Sequence, residues 1–273
     1  MVSVIMGVYN PQIDQMQKAV RSIIRQTYLN WELLIYDDGS DYTYKEEIAK
    51  LANLDHRIVC YRGESNQGLA KVLNECILRA EGKYIARMDG DDISHRERLG
   101  KQVDFLERHS EFDWVGTAVY LLAGNSFWGA RKMPLKPQAK DFLKYSPYIH
   151  PTVVFRKEVL EACCGYTVSK QTKRCEDYEL FMRLHSQGHR GYNLNEYLFA
   201  YREDAASYAR RTWASRFAEM QIRYGGFKGL GILKMTTIPY LVRPLVGGLI
   251  PHKWRHRGKW SLGNCPREHI LTK

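Results

Sequence analysis

The chain has 273 residues, 44% of them hydrophobic and 26% charged, an ordinary balance for a globular protein with a sizeable core. The formal charge of +11 is uneven: from Gly225 onward nine basic residues face Glu268 alone, a balance of +8 that leaves only +3 for residues 1–224. This excludes the body as a general nucleic-acid binder and gives the tail a role of its own to explain. The six cysteines show no zinc-ligand spacing, and the N-terminus lacks the basic stretch and long apolar run of a signal peptide, so reduced cytosolic thiols, mostly in the core, are expected.

Val2 to Val8 is a short apolar run rich in β-branched residues, closed by Tyr9-Asn10-Pro11, and reads as a buried strand and a turn. From about Gln15 to Gln26, Met16, Ala19, Val20, Ile23 and Ile24 share one helical face. A second strand, Trp31 to Tyr36, ends at Asp37-Asp38-Gly39-Ser40-Asp41; a helix from about Tyr44 to Asn53 and a strand Ile58 to Tyr61 follow. A polar loop ending in Asn66-Gln67-Gly68 leads to a helix from Leu69 to about Ala80 and a strand at 84–88. The alternation predicts a Rossmann-like, mostly parallel sheet with right-handed crossovers and helices on both faces.

The stretch Tyr84 to Asp92 organises the rest. An apolar run ends in Asp89, Asp91 and Asp92, and in an open α/β sheet that end is the ligand-binding edge. Like-charged carboxylates this close repel one another unless a cation is present or one takes a proton. An oxygen-rich set of this kind suits Mg²⁺ or Mn²⁺ held together with a substrate's phosphates. An Asp-rich turn with a helix cap at Asp92 or Ser94 explains the same residues without a ligand. The Asp37-Asp38 pair is expected at the same edge, and that coincidence outweighs either cluster alone. No Gly-x-Gly-x-x-Gly or Walker-type loop is present, which counts against a dinucleotide dehydrogenase or a P-loop NTPase.

Beyond the cluster, a helix is expected from about Arg96 to Arg108, a strand from Trp114 to Leu122, an irregular region over 123–151, and a strand from Pro151 to Phe155. Cys175-Glu176-Asp177 opens a helix ending near Gly188; one or two short strands cover Tyr192 to Tyr201, and a helix from about Ser207 to Tyr224 closes the body. Two units are therefore expected, 1–224 and a basic, apolar tail over 225–273. The tail is too interrupted by Pro239, Pro244 and charge to span a bilayer as one helix. Its expected place is the membrane surface, with Lys and Arg toward anionic heads and Trp254 among the dipping residues; a helical hairpin folded on the body, or a basic disordered end, accounts for the same composition.

Three stretches, Val4 to Asn10, Ser22 to Tyr28 and Trp31 to Asp41, resemble the family 2 inverting glycosyltransferases. So do Asn66-Gln67-Gly68-Leu69, Glu81 to Asp92, and Glu176-Asp177 with Leu180; together they cover roughly residues 1–205. The resemblance implies a GT-A fold around a nucleotide-sugar site. It sets Tyr9 against the nucleotide base, Asp38 in a hydrogen bond with that base (usually uracil), Asp91 on the diphosphate-bound metal (Mn²⁺ or Mg²⁺), Asp89 toward the ribose and Asp177 as catalytic base. Residue chemistry agrees: an inverting transfer needs one carboxylate to take the acceptor's proton, and a nucleoside diphosphate leaves without a protein acid. Glu176 and Asp177 in a first helical turn are also what helix-dipole complementarity alone favours. Arg87 and Arg96 are open between countering diphosphate and pairing structurally, His150 between acceptor contact and structure, and Trp128 between a sugar and the loop core. The family often continues Tyr-Arg-x-His; here the run is Tyr201-Arg202-Glu203-Asp204, so no third ligand is assigned.

The implied partners are a UDP-sugar and a glycan, or polyprenyl-diphosphate-linked sugar, acceptor, with the protein at the cytoplasmic face of a bacterial membrane and no nucleic acid bound. The Gln-x-x-Arg-Trp motif of processive synthases is absent. A nucleotidyltransferase and a non-catalytic basic adaptor remain the other classes; the first lacks a Gly-rich phosphate loop and the second leaves the acidic constellation unused.

Overall fold

The computed structural model describes residues 1–203 and 212–249. Among them nine strands form one sheet. The strands are β1 (Val2–Val8), β2 (Trp31–Asp37), β3 (Ile58–Arg62), β4 (Tyr84–Arg87), β5 (Ile93–Ser94), β6 (Trp114–Ala123), β7 (Ser126–Arg131), β8 (Val154–Arg156) and β9 (Gly191–Arg202). Their order is β3-β2-β1-β4-β8-β6-β9-β5, with β7 paired to β6. The first four strands run parallel, Val2 facing Trp31 on one side and Tyr84 on the other. Beyond β4 the sheet is mixed: β8 is antiparallel to β4 and β6, whereas β6 and β9 are parallel. This is the α/β arrangement expected, with the parallel half as drawn from the alternation.

The helices are α1 (Ile13–Ile24), α2 (Tyr42–Leu51), α3 (Leu69–Arg79), α4 (Arg98–Arg108), α5 (Lys157–Ala162), α6 (Glu176–Ser186), α7 (Trp213–Gly229) and α8 (Ile238–Leu249). One face of β1 buries Val2, Val4, Met6 and Val8 in a core with Met16, Val20 and Ile23 of α1 and Leu99 and Leu106 of α4. The other face buries Ile5, with Leu34, against Leu73 and Ile77 of α3, in a core that extends to Phe181 of α6 and Phe227 of α7. Because β1 is buried on both faces, its sequence reads as a continuous apolar run rather than an alternation. Each such side chain contributes about 1.5–3 kcal/mol by leaving water. Trp114 lies wholly inside, edge-on to Tyr148 and His185 and beside Phe181. It crosses the strand pair at Gly191, where a Cβ would come within 2.0 Å of the indole nitrogen, so only glycine fits.

Several local expectations change. Residues 123–151 are not wholly irregular: β7 folds back on β6 through Gly124, whose φ of 58° makes the tight turn. Residues His150–Thr152 form a 3₁₀ turn rather than the start of a strand, because Pro151 cannot donate to a ladder. The short α5 and β5 were not expected, and Tyr192 to Tyr201 belongs to one long strand. The closing helix continues past Tyr224 to Gly229, so the boundary expected at 224–225 falls inside α7, three residues before the buried Phe227. α8 then packs back: Arg216 Nη1 donates to the Pro244 carbonyl at 2.9 Å and Arg223 Nη1 to that of Tyr240 at 3.4 Å. No helix among the described residues is long and apolar enough to cross a membrane. Asp204, Trp254 and the rest of 250–273 lie outside the described residues.

Candidate active site

Four chain segments meet at the C-terminal ends of β1, β2 and β4. The Asp38 amide donates to the Val8 carbonyl at 2.8 Å and the Met88 amide to that of Ile5 at 3.1 Å, so the strand ends are held together where the acidic clusters begin. A cavity of about 400 Å³ opens there. Its walls are Gly7 to Tyr9, the Asn66–Ala70 entry into α3, and the loop from Val168 to Glu176. Tyr9 leaves half its surface free at the rim, where a flat ligand can stack.

Asp38 is buried in the cavity wall, and each of its oxygens already accepts one backbone hydrogen bond: from Gln67 N and from Gly68 N, both 2.8 Å. It therefore fixes the loop that enters α3, and each oxygen keeps one lone pair for a ligand. Its neighbour Asp37 is turned inward, accepting from the Ser40 amide at 2.9 Å and paired with Arg62. Gly39, at φ +73°, lets this loop pass so close to Ser65 that a Cβ would sit 2.6 Å from Ser65 Cα. The two adjacent aspartates thus divide into one structural and one cavity-facing group, a distinction invisible in the dipeptide.

Asp89, Asp91 and Asp92 converge, with one carboxylate oxygen of each within 4.8 Å of the others. Gly90 between them packs on Val8, its Cβ position 3.0 Å from Val8 Cγ1, which ties the cluster to the cavity floor. Burial, then the charge of Asp89, pushes Asp91 up to about 6, and burial with both neighbours raises Asp92 well above the usual carboxylate range. Asp92 Oδ1 accepts from the Arg202 amide at 2.7 Å, whereas its buried Oδ2 has no hydrogen-bond partner among the described residues. An orphaned buried oxygen and three clustered hard donors fit a divalent cation, with Asp91 and its neighbours as the residues that would hold it. Arg202, at the end of β9, clamps the segment through Nε to the Asp91 carbonyl and Nη1 to that of Gly124.

Asp177 stands in the first turn of α6, beside Glu176, which lines the cavity. Burial raises the Asp177 pKa, while backbone N–H groups at the helix start and the cation Arg87 oppose the rise. Glu176 is pushed up to about 7 by burial and by Asp177. Helix-end complementarity is therefore present and does not compete with a site role. The structure brings Tyr9, Asp38 and Glu176 to one cavity and the three aspartates to one cluster beside it. Asp177 is near enough for Asp89 to raise its pKa and Arg87 to lower it.

Arg87 is the group beneath all of this. It is 1% exposed, pairs with Asp89 and lowers the pKa of Glu176, Asp177 and Asp92. Its burial and its pairing with Asp89 give it a structural role, whereas Arg96 is exposed on the surface. A second buried guanidinium, Arg98, donates to the carbonyls of Arg87 and Pro151, and burial drops it to about 9. His150 is buried with Nε2 2.7 Å from Tyr166 Oη and held neutral by burial and Arg87, so it is not presented to an acceptor. Trp128 packs against the α1–α4 side core. Burial raises Cys60 to about 11 and Cys76 to about 12, leaving both as inert thiols. Tyr166, Arg98 and the Val168–Arg174 wall carried no motif; only the cations Lys170, Lys173 and Arg174 hinted at the last.

Comparison with known proteins agrees with this geometry. Residues 3–164 match the description Glycosyl transferase family 2. EpsE of Bacillus subtilis is 36% identical over 251 residues, 92% of this chain and 90% of its own. The O-antigen biosynthesis glycosyltransferase WbnJ of Escherichia coli is 32% identical over 74% of this chain and 79% of its own. The UDP-Glc:alpha-D-GlcNAc-diphosphoundecaprenol beta-1,3-glucosyltransferase WfaP, also of Escherichia coli, is 28% identical over 95% and 98%. Among solved structures, Staphylococcus aureus TarS superposes with a TM-score of 0.65 over 90% of this chain and 70% of that one, at 17% identity. The mannosyltransferase PcManGT of Pyrobaculum calidifontis gives 0.59 over 93% and 77%, at 15% identity. These two likenesses speak to the fold, which is of the GT-A type. Motif order, site geometry and sequence similarity agree that the chain belongs to glycosyl transferase family 2 and is a glycosyltransferase.

Proposed function

We propose that this chain transfers a hexose from a UDP-sugar, with inversion, to a glycan acceptor carried on polyprenyl diphosphate, in the assembly of bacterial cell-surface polysaccharide. The observation that carries it is the meeting, at one sheet edge, of a cavity rimmed by Tyr9 and Asp38, the Asp89/Asp91/Asp92 cluster and the helix-borne Asp177. The WfaP name, with a diphosphoundecaprenol acceptor, and the complexes of TarS with UDP and UDP-GlcNAc support this donor and acceptor class. The surplus of basic residues after Gly225 supports a peripheral position at the inner face of the membrane.

In this reading Tyr9 stacks on the uracil and Asp38 accepts from it through a free lone pair. Asp89 faces the ribose. Asp91, with Asp92 behind it, would hold Mg²⁺ or Mn²⁺, which supplies Lewis-acid stabilisation to the leaving diphosphate. Asp177 takes the proton of the acceptor hydroxyl as that oxygen attacks the far face of the anomeric carbon. Burial leaves Asp177 more basic than a surface aspartate, with the N–H groups at the helix start and then Arg87 opposing the rise. An α-linked donor would give a β-linkage.

The test is calorimetry of UDP, GDP, CDP and ADP, each with Mn²⁺ and with EDTA. The expected result is metal-dependent UDP binding that Asp91→Ala abolishes. Preference for GDP would keep the enzyme class and overturn the UDP assignment. No binding by a folded sample to any of the four would overturn the donor site.

A further inference from the structure

Six large hydrophobic side chains stand exposed in the C-terminal helical pair: Trp213 (51%), Phe217 (51%) and Tyr224 (52%) on α7, Met235 (82%) in the connection, and Ile238 (37%) and Val246 (52%) on α8. Trp213, Phe217 and Tyr224 fall within about 40° of one another around the helix, so they form one stripe. The residues around them are cationic. Over 212–249 the only acid is Glu219, already engaged by Arg223 at 2.9 Å, whereas Lys228, Lys234 and Arg243 are exposed. Arg210 and Arg211 directly precede the stripe in sequence, and six more basic residues follow it after Ile250. An apolar stripe bordered by cations with no free acid suits the boundary of an anionic bilayer, where aromatic rings sit among head groups.

The stripe is rigidly attached and has a direction. Arg223 stacks over Tyr178 at 5.1 Å, Gly226 lies against Met182, and Gly229 lies against Ser186. Both residue numbers rise together, so α7 runs parallel to α6. The first turns of α7, with Trp213 and Phe217, therefore lie toward the N-terminal end of α6, the end that carries Glu176 and Asp177. Gly226 has no side chain because a Cβ would strike Met182 Sδ at 2.3 Å, which is what lets the two helices approach.

We infer that the stripe of α7, with the outer face of α8, docks on an anionic lipid bilayer and thereby holds the catalytic end of α6 at the lipid surface. This rests on the reading above for its purpose, delivery of an acceptor anchored in lipid, and moves the contact upstream of the basic tail to begin at Trp213. A lipid diphosphate then reaches the site along the membrane plane, without leaving the bilayer.

The experiment is co-sedimentation of the full chain with vesicles of phosphatidylglycerol and phosphatidylethanolamine, and with pure phosphatidylcholine. It compares wild type with Trp213→Ser/Phe217→Ser/Tyr224→Ser; these side chains are half exposed, and the thermal midpoint checks folding. The expected result is binding to the anionic vesicles only, reduced at least tenfold in the triple variant with an unchanged midpoint. With Trp254→Phe/Trp260→Phe as the background, the further change Trp213→Phe should remove a blue shift of tryptophan fluorescence on vesicle addition while retaining binding. Undiminished binding by the triple variant would overturn the inference and leave the tail as anchor. Absence of binding by wild type, with a solution mass that falls from dimer to monomer in the triple variant, would assign the stripe to a second copy of the chain. Stripe-dependent vesicle binding in a protein that binds no nucleotide would uphold the docking face and sink the donor reading instead; UDP binding without vesicle binding would do the reverse.

Discussion

Removing the cation from the aspartate cluster should make the protein lose stability as pH rises. In the metal-free chain Asp91 has a pKa of about 6, raised chiefly by burial. A group whose folded pKa is raised stabilises the fold when protonated, and that stability is lost as pH climbs through the folded value. Raised from the ordinary carboxylate range to about 6, the group gives up most of that stability between about pH 4 and 7, at about 1.36 kcal/mol per pH unit. Because Asp91 is partly open to water, the discounted loss is about 1 kcal/mol. Asp92, fully buried and raised further, adds to this with the same sign. His150 and His185 work the other way: burial lowers both, so their contribution is present at neutral pH and lost toward acid. The informative quantity is therefore the difference between wild type and Asp91→Asn/Asp92→Asn, measured by urea unfolding in EDTA at pH 4.5 and 7.5. Wild type should fall relative to the variant by at least about 1 kcal/mol across that interval. Mn²⁺ at a hundred times its dissociation constant should restore about 2.7 kcal/mol to wild type at pH 7.5 and nothing to the variant. A pH-independent difference, or equal stabilisation of both proteins by Mn²⁺, would refute the claim that these carboxylates form a frustrated site awaiting a cation.

Asp177→Asn should cut transfer by about 10²–10⁴-fold while leaving UDP affinity within about twofold, read from turnover and calorimetry on the same preparation; unchanged turnover removes Asp177 as the base. Tyr9→Ala, at a rim residue, should weaken UDP by about 1–3 kcal/mol with no change in thermal midpoint; an unchanged Kd would place the base elsewhere. Asp38→Ala deletes the acceptor of two backbone N–H groups and should cost about 1–3 kcal/mol of stability together with nucleotide affinity; loss of affinity alone would mean the Asn66–Gly68 loop is held by other contacts. Gly191→Ala drives a methyl into the Trp114 indole and should leave little folded protein, by circular dichroism; a variant of native stability would show that the β6–β9 pair can shift to accommodate it.

The parallel half of the fold was legible because each element has one job. β1 is buried on both faces and is apolar but for Ser3, α1 buries one face and shows a 3.6-residue period, and the acidic runs fall where strands end. The acidic runs at 37–38, 89–92 and 176–177 stood out because carboxylates following an apolar run or opening a helix are conspicuous in one dimension; it was the family resemblance that singled out Asp38, Asp89, Asp91 and Asp177 within them. The segment 123–151 was not legible, since β7 is held by its pairing with β6 rather than by any pattern of its own. The helix end at Tyr224 was misplaced because what extends α7 is Phe227 entering the core that also holds Phe181, and that core is built from residues far apart in the chain.

The sequence by itself determined the alternation of strands and helices in the parallel half, the family and the identity of the acidic groups, because these follow from local period and from motifs read along the chain. Only the tertiary structure decided where each charged group stands. It turned Asp37 inward to Arg62 and left Asp38 at the cavity. It buried Arg87 beneath two sets of carboxylates more than eighty residues apart. It laid α7 parallel to α6, so that an apolar stripe ends beside the first turn of the helix that carries Asp177. The physical reason is that burial and charge proximity fix a group's protonation and reach, and both are set by packing between distant segments rather than by neighbours in sequence.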